Sequence, residues 1–270
     1  MKVLVIGATG FLGKTIVEAF LKRSDEVWGS YRNSKINLPK KCHPIKIGEI
    51  ESLDDDFDAI VFAAGNFSLS EKELIEINVH LTKRVSDHFR TAKLVFISSV
   101  AVYGNHMDRV VEDSVYNSPS PYGQSKIAGE AVVQTHNRYA ILRLTYLYGA
   151  GMPPVSFLPI IVNKAKDEKK ITLFGRGERL QDYLHVEDAA NLCILASIYV
   201  ENGIFLGATG HSVSNLEVAK EIQVFIPDLF IDFQGKDTSP WFQFDPTNTN
   251  ERLGWHCKHE LRNTLKEMIG

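Results

Sequence analysis

Three cysteines in 270 residues, Cys42, Cys193 and Cys257, are too few, odd in number and too widely spaced to frame a disulfide scaffold. Their scarcity fits a reducing compartment, and the cytoplasm is the expected location. Long apolar runs are missing as well. The amino terminus is hydrophobic only from Val3 to Ile6 before Gly-Ala-Thr-Gly interrupts it, too short for a signal-peptide core. The stretch from Ala189 to Val200 is broken by Asn191 and Ser197 and reads as a buried helix, so no membrane span is expected. Charge of one sign is nowhere concentrated. Lys and Arg number 30 against 33 Asp and Glu, a formal net charge of -3, and the basic runs are short, as at Lys40-Lys41 and Lys169-Lys170. Nucleic-acid binding needs clustered cations, so that class is excluded. No repeat or low-complexity tract stands out. What is present, with 44% hydrophobic residues, is a globular chain able to bury roughly three quarters of its unfolded surface.

Short β-branched runs end in turn residues at Val3 to Ile6, Glu26 to Gly29, Ala59 to Ala63, Leu94 to Ile97 and Ala140 to Leu144. Between them, helical periodicity predicts helices at Leu12 to Arg23, Leu74 to Phe89 and Gln124 to His136. Continuous apolar strands separated by helices imply a parallel sheet covered on both faces, an α/β doubly wound architecture. The alternation weakens after Gly149, where Gly-Ala-Gly-Met-Pro-Pro marks a break. Residues 1–150 are expected to form a dinucleotide-binding domain, with 184–210 returning to it through a strand at Ile204 to Leu206. Residues 151–183 and 211–270 are assigned to a smaller mixed lobe for substrate, with helices near Asn215 to Phe225 and Leu261 to Ile269.

Gly7-Ala8-Thr9-Gly10-Phe11-Leu12-Gly13 joins the first strand to the first helix. Gly7 permits the tight turn, Gly10 lets backbone approach a pyrophosphate, and Gly13 allows close packing of helix on strand. The helix start adds unpaired N–H groups and a positive dipole end. An NAD site would carry a carboxylate at the end of the second strand, but the chain there reads Gly29-Ser30-Tyr31-Arg32-Asn33, with Asp25 and Glu26 before the strand. Ser30 and Arg32 are suited to a 2'-phosphate, so NADP is favoured over NAD.

Tyr122-Gly-Gln-Ser-Lys126 opens a predicted helix with Tyr122 and Lys126 one turn apart on one face. An ammonium beside a phenol favours the phenolate and tunes it for proton transfer. The strand from Leu94 ends in Ser98 and Ser99, at the carboxyl edge where open α/β sheets hold ligands. A hydroxyl there can steer a substrate oxygen toward the phenol.

In these motifs the chain resembles the extended short-chain dehydrogenase/reductase family, in its nucleotide-sugar epimerase/dehydratase branch, with a Rossmann-type fold. The resemblance extends through Ser98 to Gly104, Arg143 to Gly149, Asp182-Tyr-Leu-His-Val-Glu-Asp188, Phe205 to Gly210 and Leu253-Gly-Trp255. It implies an NAD(P)-dependent enzyme that moves hydride between nicotinamide C4 and a carbinol carbon. Ser99, Tyr122 and Lys126 take the catalytic positions, with Lys126 holding the nicotinamide ribose. Gly7, Thr9, Gly10, Phe11, Leu12, Gly13, Ser30, Arg32, Ala63, Ala64, Gly65 and Asn78 are the expected cofactor contacts together with Tyr122 and Lys126. A homodimer formed through helices beside the Tyr-Lys element is also implied.

Departures from the family pattern narrow the reaction. Dehydratases of the family carry an Asp-Glu pair where this chain has Val100 and Ala101, and members that epimerise beside a ketone carry a Cys where Ala101 stands. Simple redox at one carbon survives, as a 4-ketoreductase or a 4-epimerase of a nucleotide sugar. Gln181 replaces the family's phosphate-binding arginine, with Arg176 and Arg179 nearby, which raises a third option, reduction of a small non-nucleotide carbonyl compound. The substrate contacts expected are Ser99, Val100, Ala101, Arg176 and Gln181. A non-catalytic NADP-sensing protein ranks last because the serine, tyrosine and lysine are all kept. No metal is expected, since His256, Cys257 and His259 lack a second pair of ligands.

Overall fold

The computed structural model describes residues 1–65, 70–105, 109–239 and 241–270. The chain runs β1 (Lys2–Ile6), α1 (Phe11–Lys22), β2 (Glu26–Tyr31), β3 (His43–Lys46), β4 (Ala59–Phe62), α2 (Glu71–Ile75), α3 (Thr82–His88) and β5 (Lys93–Ser99). Then come β6 (Arg109–Val110), α4 (Pro121–Val133), β7 (Tyr139–Leu144), β8 (Tyr146–Tyr148), α5 (Phe157–Glu168) and β9 (Lys170–Phe174). The remainder contains β10 (Leu180–His185), α6 (Val186–Ile198), β11 (Gly203–Gly207), β12 (Ser212–Ser214) and α7 (Asn215–Phe225). It closes with β13 (Phe230–Gln234), β14 (Gln243–Phe244), α8 (Thr247–Leu253) and α9 (Leu261–Ile269).

Seven parallel strands form the central sheet in the order β11-β7-β5-β4-β1-β2-β3. Alternation along β1 shows why the sheet needs two helical layers. Val3 and Val5 face the α1 and α6 side with Ile16, Val17, Phe20 and Ala189, while Leu4 and Ile6 face Val85, Phe89 and Val133 on the other. Successive side chains of a strand point to opposite faces, so a strand apolar at every position must be covered twice. Each such Val, Leu or Ile contributes about 1.5–3 kcal/mol on burial. Strand order reverses between β1 and β4, and the crevice at that switch point lies beside the glycine loop.

The helix expected from Leu74 to Phe89 begins earlier and is not uniform. Ser70 and Glu73 form a capping box at the start of α2. Between α2 and α3 the chain widens into a π-helical turn, Glu76–Leu81, which carries Asn78. The Thr82 hydroxyl reaches back to the Ile77 carbonyl at 3.3 Å across it. Wide turns of this kind recur at functional sites.

The C-terminal part builds smaller sheets. β10 pairs in parallel with β8 and antiparallel with β12, and β13 pairs in parallel with β9. α5, α7 and α9 close over them around Leu158, Ile161, Val218, Ile222 and Leu265. β11 lies in the main sheet beside β7. The chain end is pinned to α6: Asp188 accepts the Lys258 and His259 N–H groups at 3.1 and 3.0 Å, and the Trp255 indole donates to the Asp188 carbonyl at 3.1 Å. His259 also stacks on His185 at 4.0 Å between centroids. Among the described residues no three His, Cys, Asp or Glu side chains gather to hold a metal ion, and no helix is long and apolar enough to cross a membrane.

Candidate active site

The glycine loop is shaped by backbone meeting backbone. Gly7 has φ +86°, and a Cβ there would sit 2.8 Å from the Ala64 Cα. A Cβ on Gly13 would lie 2.1 Å from the Gly7 carbonyl oxygen, which only glycine can avoid. Gly10 differs, because its Cβ position meets nothing nearer than 3.4 Å and is exposed. Its open side is where a bulky anion could approach. Among the described residues no side chain caps α1, whose first N–H groups are therefore available to phosphate oxygens. Thr9 and Phe11 are half-buried along this rim, while the Leu12 side chain is packed into the core and offers only backbone.

Ser30 corrects one expectation. It is 1% exposed, and its hydroxyl accepts the Gly7 N–H at 2.9 Å. It braces the glycine loop from below and presents no surface to a 2'-phosphate. Arg32, one residue past β2, is exposed; the Glu73 carboxyl on α2 is held below its ordinary value by hydrogen bonds with Ser70, with a smaller contribution from the Arg32 charge. Asp25 is at the far end of β2 and is held by the amino terminus at 2.8 Å and Arg23 at 3.0 Å. Glu26 takes the Trp28 indole N–H at 3.0 Å.

Opposite the loop, α4 delivers the tyrosine and lysine. Ser120 caps the helix by accepting the Gly123 N–H, and Pro121 fills the first helical position with its fixed φ. A Cβ on Gly123 would lie 2.3 Å from the Ala101 carbonyl, so this glycine allows the first turn of α4 to press against the end of β5. Gly129 does the same one helical stretch later, against the Asn78 carbonyl at 2.5 Å. Neither glycine is among the residues singled out from the sequence, although their place at i+1 and i+7 from the tyrosine is a usable signal.

The two serines separate cleanly. Ser98 is 3% exposed and donates to Glu130 Oε1 at 2.5 Å, facing away from the crevice. Ser99 is half-buried, accepts the Ala101 N–H at 3.1 Å and hydrogen-bonds the Tyr122 phenol. Lys126 is 3% exposed and donates from Nζ to the Ile97 carbonyl at 2.8 Å, with the Phe96 ring 4.9 Å and the Tyr122 ring 5.9 Å away. Burial pushes the Lys126 ammonium down to about 7, partly opposed by Glu130. Burial also pushes the Tyr122 phenol up to about 12, and the opposing influence is the hydrogen bond with Ser99. Desolvation is the larger influence on both groups.

Ala63, Ala64 and Gly65 continue from β4 into the same crevice, with Gly65 at φ +126°. A Cβ on Gly65 would stand 3.3 Å from Asn78 Oδ1 and 3.5 Å from Lys126 Nζ. Asn78 is fully buried and gives its amide N–H to Ser125 Oγ at 2.9 Å, but Oδ1 has no partner among the described residues. Asn78 has no exposed surface, so the expected direct cofactor contact is corrected: it supports the crevice from behind, and its unpaired oxygen is of the kind that buried water satisfies. With the open Gly10 rim and the uncapped helix, the donor set fits a dinucleotide lying from the loop to Lys126.

The expected substrate contacts divide. Val100 is 5% exposed in an apolar cluster with Val102 and Phe242, and Ala101 lines the turn beside Ser99. Gln181 is a correction. It is 3% exposed and gives its amide to the Tyr183 hydroxyl at 3.0 Å and Asn215 Oδ1 at 2.6 Å, so it is a structural residue of the lobe. Arg176 is exposed on a groove of about 430 Å³ with Glu178, Phe233 and Lys236. Next to Gln181, buried Asp182 collects Thr145, Thr209 and the Gly210 N–H, tying β10 to the ends of β7 and β11.

A sequence profile of the NAD dependent epimerase/dehydratase family matches residues 3–204. UDP-glucose 4-epimerase of Lactobacillus helveticus is 28% identical over 96% of this chain and 93% of its own length. dTDP-glucose 4,6-dehydratase of Mycolicibacterium smegmatis is 27% identical over 96% and 89%. Among solved structures, ADP-L-glycero-D-manno-heptose-6-epimerase of Helicobacter pylori superposes with a TM-score of 0.89 at 20% identity, covering 99% of this chain and 95% of that one. UDP-glucuronic acid 4-epimerase of Bacillus cereus, in complex with NAD, gives 0.87 at 21% identity, with 100% and 96% covered. At such identities the solved structures speak for the fold.

Proposed function

Because this chain belongs to the NAD dependent epimerase/dehydratase family, we propose that it transfers hydride at a single carbinol or ketone carbon of a nucleotide sugar, as a 4-ketoreductase. The observation that carries this reading is the Ser99–Tyr122 hydrogen bond directly above a buried Lys126, with Val100 and Ala101 following the serine. The first three residues suffice for proton exchange at a carbon bearing oxygen. The next two carry no acid or base for elimination.

Bound NAD(P) supplies or accepts the hydride. Tyr122 exchanges the proton of the substrate oxygen, and Ser99 fixes that oxygen by a second hydrogen bond. Lys126 would hold the nicotinamide ribose end with Asn78 buried behind it, and the N–H groups at the start of α1 would hold the pyrophosphate. Arg32 favours NADP, since no carboxylate follows β2 to receive a ribose 2'-hydroxyl. Arg32→Ala should weaken NADPH binding about tenfold and leave NADH nearly unchanged; equal effects on both would refute the preference. Cytoplasmic location and a homodimer belong to the same reading, on the three cysteines and the family pattern; light scattering checks the second.

The curated relative named UDP-glucose 4-epimerase favours a second reading, in which the same hydride is removed and returned. Mass spectrometry of the purified protein, followed by turnover of a UDP- or dTDP-hexose without added NADPH, separates the two. Consumption of NADPH by a 4-keto sugar nucleotide supports the reductase. Retained NAD with turnover in its absence supports the epimerase. The buried Gln181 leaves the nucleotide itself to be tested: if UDP-, dTDP- and GDP-sugars all fail to raise the melting temperature in the presence of NADP, a small carbonyl substrate takes precedence.

A further inference from the structure

Below the serine and tyrosine lies a polar cluster that the hydride chemistry does not call on. Three consecutive residues at the end of β5 each engage α4. The Ile97 carbonyl accepts from Lys126, Ser98 donates to Glu130, and Ser99 bonds Tyr122. Glu130 is 3% exposed and is gripped by Arg143 of β7, Nε to Oε1 at 3.0 Å and Nη2 to Oε2 at 2.7 Å. Arg143 is 1% exposed and spends its other N–H groups on the Tyr103 hydroxyl at 3.0 Å, the Glu112 carbonyl at 2.7 Å and the Tyr116 hydroxyl at 2.6 Å. Taking two ions out of water is costly, and a neutral pair of similar volume is often at least as stable. Stability by itself is therefore a poor account of the pair.

Its position supplies a better one. Glu130 stands one turn beyond Lys126 on the same face of α4. The groups facing Lys126 are Tyr122 and Glu130 from its own helix, the Ile97 carbonyl and Phe96 ring from β5, and Asn78 from the π-helical turn, with Arg143 behind Glu130. Glu130 is the carboxylate that works against the desolvation of the lysine.

We propose that Glu130 is a positioning residue that, through Ser98 of β5 and Arg143 of β7, fixes α4 against the sheet and so holds Lys126 in place, while touching neither substrate nor cofactor itself. This rests on the reading of Lys126 as the cation of the active site. Arg143 anchors the carboxylate through two hydrogen bonds, Nε to Oε1 and Nη2 to Oε2. Removing the acid alone leaves the lysine facing an uncompensated cation; removing both leaves it facing neither.

The test follows the Lys126 Cε resonance through a pH titration in the full chain labelled with 13C-lysine, assigned by its loss in Lys126→Met. Glu130→Gln should lower the titration midpoint by about one pH unit or more, a tenfold change in the ammonium fraction at a fixed pH above it. The double variant Glu130→Gln/Arg143→Met should lower it by a smaller amount. If the single variant does not fold, the double one, which leaves no unpaired Arg143 guanidinium in the interior, still decides. A Lys126 midpoint unchanged in the folded double variant overturns the proposal. The readout needs no turnover, so a failed Tyr122 mechanism and a failed role for Glu130 give different results.

Discussion

Around the glycine loop the surface facing the crevice is backbone, whereas in the C-terminal lobe Gln181 and Asp182 are turned inward and only Arg176 of the expected contacts there stays exposed. Gly7 and Gly13 exist to let main-chain atoms approach within distances no Cβ tolerates, and Gly10 is left open above them. Gln181 reads in sequence as a substrate contact, yet it serves Tyr183 and Asn215, and its neighbour Asp182 serves Thr145, Thr209 and Gly210. A backbone site requires particular residue types at particular spacings and is easily spoiled. A side-chain lobe trades its polar residues between substrate and scaffold, and which use is made depends on where each chain points.

The contrast is tested most severely at the junction of the two regions. Tyr122→Phe should lower kcat/KM by about 10²–10⁴-fold with NADP affinity nearly intact, measured by steady-state kinetics and cofactor titration. Turnover near the wild-type level would remove Tyr122 from the mechanism. Gly13→Ala should cost about 1–3 kcal/mol of stability and abolish cofactor binding, because the methyl meets the Gly7 carbonyl oxygen. Chemical denaturation together with fluorescence of bound NADPH measures both, and undiminished binding would show that the close packing is dispensable.

Lys126 is expected to be costly to the fold. Its ammonium falls to about 7 in the folded protein from an ordinary 10.5, so below pH 7 the folded state carries the full penalty of a buried cation. That penalty fades as pH rises from 7 toward 10.5, where only the unfolded chain still binds the proton. Lys126→Met should therefore abolish activity while raising the melting temperature, most below pH 7 and progressively less above it. A gain that grows with pH would contradict the sign. In the lobe, Gln181→Ala should cost about 1–3 kcal/mol by leaving the Asn215 oxygen unpaired, with kcat little changed. A large loss of kcat there would return Gln181 to the substrate site and narrow the difference between the two regions.

Much of the N-terminal half is legible in the amino-acid sequence. Strands apolar at every position, such as Val3 to Ile6, announce a sheet covered on both faces, and α1, α7 and α9 begin and end within about two residues of the periodic runs. The π-helical turn that sets Asn78 is not legible there, because its apolar spacing fits an ordinary helix and the widening depends on what α4 presses against it. Ser98 and Ser99 are equivalent as letters. Their opposite roles follow from strand alternation together with the location of Glu130 thirty-odd residues on.

The sequence by itself determined the doubly wound sheet, the glycine loop at its switch point, and the serine, tyrosine and lysine that face it, because all of these are written in local periodicity and short fixed spacings. Tertiary structure alone decided that Ser30 braces the loop, that Gln181 is sealed in the lobe, and that Glu130 and Arg143 meet beneath the lysine. Those outcomes depend on contacts between segments far apart in the chain. Burial, which decides whether a polar residue serves a ligand or the fold, belongs to the packed molecule and to no single stretch of it.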